Sequence, residues 1–343
     1  MKQTIKENWF ILLVSAIAAL FLVKEVVQGV RGYSSHAVKK DTAAHWMAPS
    51  LYTDEELSGP EREQVIYGSE LVAHTARYFG PKGTVLQITN GMNCQNCHLS
   101  AGAKSWGNNY GAVGSTYPKF RDRSGAVETI PKRVNDCFER SLNGQAIDTN
   151  SREMKAIVAY IKWLGKDVKK GTKPKGSGIT DLGYLQRAAD PASGKQTYIV
   201  KCQSCHGVNG EGAFNPAGNE YVYPPLWGEH SYNAGAGLFR LSRFAGYIRD
   251  NMPFNQASHS MPALTDEEAW DLAAFVNSQP RPGKDLSKDW PDISKKPVDH
   301  PFGPYADGFS EAQHKFGPFQ PIVDARKKQK EQKETTSQAQ PAK

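Results

Sequence analysis

The 343-residue chain reads as mainly α, with two small helical domains in tandem and an extended C-terminal wrap. Three observations predict this. The segments Cys94-Gln95-Asn96-Cys97-His98 and Cys202-Gln203-Ser204-Cys205-His206 repeat one C-x-x-C-H pattern 108 residues apart. Each follows a helical segment, Arg62 to Phe79 and Pro191 to Val200, and precedes, after a Gly-rich irregular stretch, a strongly periodic helix. Residues 283–322 then carry prolines and aromatics without a period of 2 or 3.6, and Phe302, Tyr305, Phe309, Phe316 and Phe319 would be wasted in solvent.

At the N-terminus, Lys2 and Lys6 precede an apolar run of fifteen residues from Trp9 to Val23. That length suits the apolar region of a signal peptide and falls short of the roughly 20 residues of a membrane span. Val26 and Val27 could extend the run, and no clear A-x-A site follows. Residues 1–30 are therefore a signal peptide or a membrane anchor, and either one exports the body to the periplasm.

The first domain, 45–165, ends in a helix from Ser151 to Leu164 with Met154, Ile157, Val158, Ile161 and Leu164 on one face. Residues 166–183 are Lys- and Gly-rich at their start and form a linker. The second domain, 184–282, ends in a helix opened by the Thr265-Asp266-Glu267-Glu268 capping box and continuing to Asn277. Offset by 114, Val158-Ala159 falls on Leu272-Ala273, an internal duplication in outline. The tail, 323–343, is rich in Lys, Gln and Glu and is expected to be disordered.

Composition narrows the class. Hydrophobic residues make up 39% of the chain, below the roughly 45–50% of a typical globular domain, so something besides side chains fills the cores. The net charge of +7 lies in two segments. Lys166, Lys169, Lys170, Lys173 and Lys175 against Asp167 supply +4, and the tail from Asp324 onward supplies +3. The body is neutral, which argues against a nucleic-acid surface.

C-x-x-C-H is the attachment signature of c-type haem. Two thiols on one turn reach the two vinyl groups of a porphyrin, and the adjacent histidine is held beneath the iron. A zinc site or redox dithiol would account for one C-x-x-C, but not for two copies each with its histidine in an exported chain. Two covalently bound haem c groups, on Cys94, Cys97 and His98 and on Cys202, Cys205 and His206, also explain the thin cores. Each domain then has the form of a small cytochrome c.

Cys137 is the fifth cysteine and has no intrachain partner. It lies between haem motif and final helix, where a cytochrome c domain supplies its distal ligand. The matching position in the second half, 251, adjoins Met252, so the repeat nominates Cys137 and Met252 as distal ligands. Met261 competes with Met252 but lies close to the helix cap. His74 and Met92 read as packing residues. Pro131 and Gly144 bound a helix from Lys132 to Asn143 on which Arg133, Cys137 and Ser141 share a face, with Arg123 before it and Gln145 after it. A nucleophilic sulfur beside arginines above a haem suits oxidation of a small sulfur oxyanion.

The stretch from Arg133 to Gly144, the segment Phe275-Val276-Asn277-Ser278-Gln279-Pro280-Arg281-Pro282 and the segment from Tyr305 to Lys315 resemble the dihaem thiosulfate dehydrogenases. The resemblance runs from about Trp46 to Ile322. It implies interconversion of two thiosulfates with tetrathionate, His/Cys ligation at an active-site haem 1, substrate binding by Arg123, Arg133, Ser141 and Gln145, and His/Met ligation at an electron-transfer haem 2. It also implies a redox partner, such as a soluble or membrane-bound cytochrome c. Some members carry a lysine directly before the methionine as an alternative ligand. Here that residue is Asn251. The competing reading is a non-catalytic dihaem electron carrier, which needs no substrate arginines.

Overall fold

The computed structural model describes residues 45–338; the apolar N-terminal segment, and with it the choice between signal and anchor, lies outside the described residues. No helix among the described residues is long and apolar enough to cross a membrane.

In the first domain, helix α1 (Gly59–Ala73) packs on the last helix, Arg152–Leu164. Gly68 sits at the crossing, where a Cβ would overlap the Ala156 carbonyl, so glycine is what lets the two backbones touch. The helix predicted over 62–79 breaks at His74 and restarts as α2 (Thr75–Phe79). Here the Thr75 hydroxyl donates to Leu71 O at 2.8 Å and accepts from the Cys94 N–H at 3.0 Å, while Asn93 Oδ1 accepts from the Ala76 N–H at 2.7 Å. The break is therefore where the first C-x-x-C-H segment is fastened to the helix.

After α3 (Val113–Thr116) comes a hairpin absent from the sequence reading, β1 (Lys119–Arg121) paired antiparallel with β2 (Ala126–Glu128). Helix α4 (Ile130–Arg140) and the final helix α5 (Arg152–Leu164) follow. Ser151 caps α5, its hydroxyl accepting from the Met154 N–H at 3.1 Å, and Met154, Ile157, Ile161 and Leu164 are buried as the period predicts.

The second domain repeats the plan. Helix α6 (Pro191–Lys201) crosses the last helix at Gly194, whose Cβ would overlap the Asp271 carbonyl. A short α7 (Gln203–His206) carries the second haem motif, a small hairpin β3 (Ala213–Phe214) and β4 (Tyr221–Tyr223) follows, and α8 (Leu241–Asn251) packs on α9 (Asp266–Ser278). The capping box of α9 is closed by Glu268 N–H to Thr265 Oγ1 at 3.1 Å and Thr265 N–H to Glu268 Oε2 at 2.9 Å.

The segment 166–183 is an ordered strap. Gly176 and Gly178 carbonyls accept from the Trp106 and Asn108 N–H groups at 2.8 and 2.9 Å, and Ile179 enters the second core. Along 283–310 the chain is irregular apart from a turn at Ile293–Lys295, then forms α10 (Glu311–Phe316). Phe319 and Ile322 are buried in the second core. The tail corrects an expectation: residues 323–338 continue α11 (Gln320–Gln338). Arg326 fastens its first turns through Nε and Nη2 to Asp307 at 3.0 and 2.8 Å. Glu331 and Glu334 then lie one turn beyond Lys327 and Lys330, at 4.0 and 3.8 Å.

Candidate active site

Both C-x-x-C-H histidines are prepared to ligate. His98 Nδ1 lies 2.5 Å from Asn108 O and His206 Nδ1 lies 2.9 Å from Pro224 O. A carbonyl can only accept, so each Nδ1 carries the proton and each Nε2 keeps a lone pair for a metal. Burial pushes the His98 ring down to about 4 and lowers His206 as well, which keeps both imidazoles neutral. Tyr110 stacks on the His98 ring at 4.5 Å. Paired sulfurs on one turn beside a neutral imidazole suit haem c. Among the described residues no three His, Cys, Asp or Glu side chains converge as a zinc site requires.

Against His98 lies a cavity of about 590 Å³, within the roughly 300–1,000 Å³ usual for cofactor and ligand sites. Cys97, His98, Arg123, Arg133, Cys137 and Ser141 all line it. Cys137 is half-buried, and its sulfur is near enough to Cys94, Cys97 and Tyr110 to act on them electrostatically. It is also the largest influence favouring the charge of Arg133, ahead of the opposing effect of burial.

Gln145 departs from expectation: it is exposed and does not line the cavity. The cause is where α4 ends. The helix stops at Arg140 rather than Asn143, and Asn143, not Gly144, takes the left-handed turn with φ 44°. Gly144 donates to Phe138 O at 2.9 Å and presses on Ile88, whose carbonyl a Cβ would overlap. The chain has left the Arg133–Cys137–Ser141 face before Gln145 is reached.

The cavity wall holds five arginines and one carboxylate, Asp181. Arg123 is tied to Asp289, Arg240 to Asp299 and Arg243 to Asp181. Among the described residues no carboxylate forms an ion pair with Arg121 or Arg133, although Asp136 and Glu128 favour the Arg133 charge from farther off, so both guanidinium forks are available to an anion. Arg121 escaped the sequence reading. It stands at the end of β1, two residues before Arg123, and only the Arg-x-Arg spacing hinted at it.

In the second domain Met252 is half-buried against the core, whereas Met261 is 74% exposed. Asn251 is fully buried, its Nδ2 donating to Tyr247 O at 2.9 Å and to Trp106 O of the first domain at 3.1 Å.

Two helical domains, each with a C-x-x-C-H histidine held ready, define a tandem dihaem c-type cytochrome. The family described as SoxA/TsdA, cytochrome c domain, matches residues 86–169, and the cytochrome c family matches 191–280. The chain is 34% identical to thiosulfate dehydrogenase of Allochromatium vinosum over 256 residues, 73% of this chain and 89% of that one. It is 41% identical to thiosulfate dehydrogenase of Psychrobacter arcticus over 206 residues, 60% of this chain and 61% of that one. It also resembles the "as isolated" structure of thiosulfate dehydrogenase (TsdBA) from Marichromatium purpuratum, with TM-score 0.63 and 34% identity over 70% of this chain and 50% of that one. The chain belongs to the thiosulfate dehydrogenase family and carries two covalently bound haem c groups. The matched stretch spans about three fifths of the Psychrobacter relative and half of the Marichromatium chain.

Proposed function

We propose that this protein is an exported dihaem oxidoreductase that interconverts two thiosulfates and tetrathionate, with the cavity beside Cys137 as its active site. The observation that carries this reading is the meeting, on one wall, of Cys137, Ser141 and two arginines, Arg121 and Arg133, with which no carboxylate among the described residues forms an ion pair. A plain electron carrier has no use for an anion pocket at one haem. In this reading Cys94, Cys97, His98 and Cys137 would hold haem 1, and Cys202, Cys205, His206 and Met252 would hold haem 2. The burial of Met252 and the exposure of Met261 support that second assignment. The two haems supply two one-electron acceptors, matching the two-electron reaction, with haem 2 the exit to an external redox partner.

The chain's own residues handle anion repulsion and sulfur transfer. Two dianions brought to about 4 Å repel by about 4 kcal/mol in water and by more in a drier pocket. Arg133, Arg121 and the Ser141 hydroxyl offset that by donating to sulfonate oxygens. The Cys137 thiolate bonds the sulfane sulfur of one thiosulfate, and the pair together gives up two electrons. The sulfane sulfur of the second thiosulfate then attacks the bound one, releasing tetrathionate and restoring the thiolate. Run in reverse with two electrons supplied, the same residues reduce tetrathionate. Gln145 would need to swing in to take part. Arg133→Lys, which keeps the charge but loses the planar fork, tests the anion role. KM for thiosulfate is expected to rise about 10- to 100-fold, the worth of a charged hydrogen bond, and an unchanged KM removes Arg133 from the site.

A further inference from the structure

Where the β1–β2 turn, the end of α4 and the wrap meet, donors outnumber acceptors. Asp289 of the wrap accepts from Arg123 Nε at 2.7 Å through Oδ2 and from Arg140 Nη2 at 3.2 Å through Oδ1. Arg140 Nη1 and Trp290 Nε1 are both shielded from solvent without an acceptor. Arg123 Nη2 is 2.7 Å from the same Oδ2 but not aligned for a hydrogen bond. The Trp290 backbone N–H donates to Arg123 O at 2.7 Å, which ties the wrap to the β1–β2 turn, and Arg123 and Trp290 both line the cavity. Burial first and Arg140 second push Arg123 down to about 10, and a second carboxylate, Asp136 Oδ1, lies 3.7 Å from Arg140 Nη2, so the cluster lacks acceptors rather than negative charge. Buried donors without acceptors are costly, and three on residues gathered about Asp289 call for an anionic acceptor.

We propose that Arg123, Arg140 and Trp290 form an oxyanion clamp at the rim of the haem 1 cavity, in which the Trp290 indole N–H is a positioning donor contributed by the wrap. Two sources carry the matching oxygens: a propionate carboxylate of haem 1 and the sulfonate end of a thiosulfate. The inference rests on the dihaem reading but not on which sulfur compound is the substrate.

The test uses the intact holoprotein and Trp290→Phe, which keeps the ring and removes the N–H, together with Arg140→Lys. Three readouts are taken: haem content, the haem 1 potential as a function of pH, and the affinity for sulfate, a non-oxidisable oxyanion, from the haem 1 spectrum. If the clamp holds a propionate, both variants lower the haem 1 potential, because a less screened carboxylate favours ferric iron, and sulfate affinity stays put. If it holds a sulfonate, sulfate affinity falls about 10-fold and the potential stays put. Neither quantity moving in either variant, with two haems attached, overturns the clamp. Should Trp290→Phe lose haem, Arg140→Lys decides alone. Wild-type protein with fewer than two haems would instead overturn the dihaem reading.

Discussion

The two halves are built alike and equipped differently. Each has a first helix whose glycine, Gly68 or Gly194, admits the last helix to backbone contact, and each has a histidine whose Nδ1 is tied to a carbonyl. They part in the segment before the last helix. The first half places Cys137 on α4 beside Arg133, at a cavity of about 590 Å³ to which it contributes Arg121, Arg123 and Arg133 and the second half Arg240 and Arg243. The second half places Met252 just past α8, half-buried, next to an asparagine locked by two carbonyls. A duplicated scaffold can therefore host two chemistries, because the haem-holding turn and the distal segment vary independently. In the proposed function, one half admits an anion and the other conducts.

Removing the sulfur should break the comparison most completely. Cys137→Ala is expected to cut turnover by about 10³-fold or more while both haems stay attached, since the other cysteine lining the cavity, Cys97, is committed to haem attachment. Retained activity in the presence of full haem content would mean that the two halves do not differ as described.

Next in size is the proposed second distal ligand, Met252. Axial ligands set haem potentials over about 0.8 V, so Met252→Ala should shift the haem 2 potential by roughly 100 mV. Met261→Ala should leave it unchanged, because that side chain is 74% exposed. The reverse result from redox titration of the two variants would exchange the assignments.

The parts of this arrangement legible in the sequence are those fixed by local chemistry. The C-x-x-C-H turns, the period of α5 and the capping box of α9 all announce themselves within a dozen residues. Cys137, Arg133 and Ser141 were legible because they share one helix face. Gln145 misled because the end of α4 is set by contact with Ile88, which no local pattern records. Arg140 and Arg123 acquire their role through Asp289, 149 and 166 residues away, and Trp290 through its neighbour in that same wrap. Such long-range ties leave no periodic trace. The tail was misread because its composition suits disorder, while a packed Ile322 and the Arg326–Asp307 pair start a helix there.

The mildest test asks whether the two halves are also equal as folded objects. Gly68→Ala and Gly194→Ala each force a methyl group into a backbone carbonyl, an overpacking that costs about 1–3 kcal/mol. If the halves unfolded independently, each substitution would lower its own thermal transition and spare the other. The contacts between them argue otherwise. Asn233 Nδ2 donates to Glu139 O at 2.9 Å and to Asn143 Oδ1 at 2.8 Å, and Tyr247 Oη donates to Asn96 O at 3.1 Å. Trp106 stacks on His259 at 3.9 Å, and Asn251 joins the two halves at Trp106 O. Calorimetry should therefore show one transition, lowered by several degrees to a similar extent in both variants. Two separated transitions would show that haem-to-haem geometry rests on contacts too weak to couple the domains.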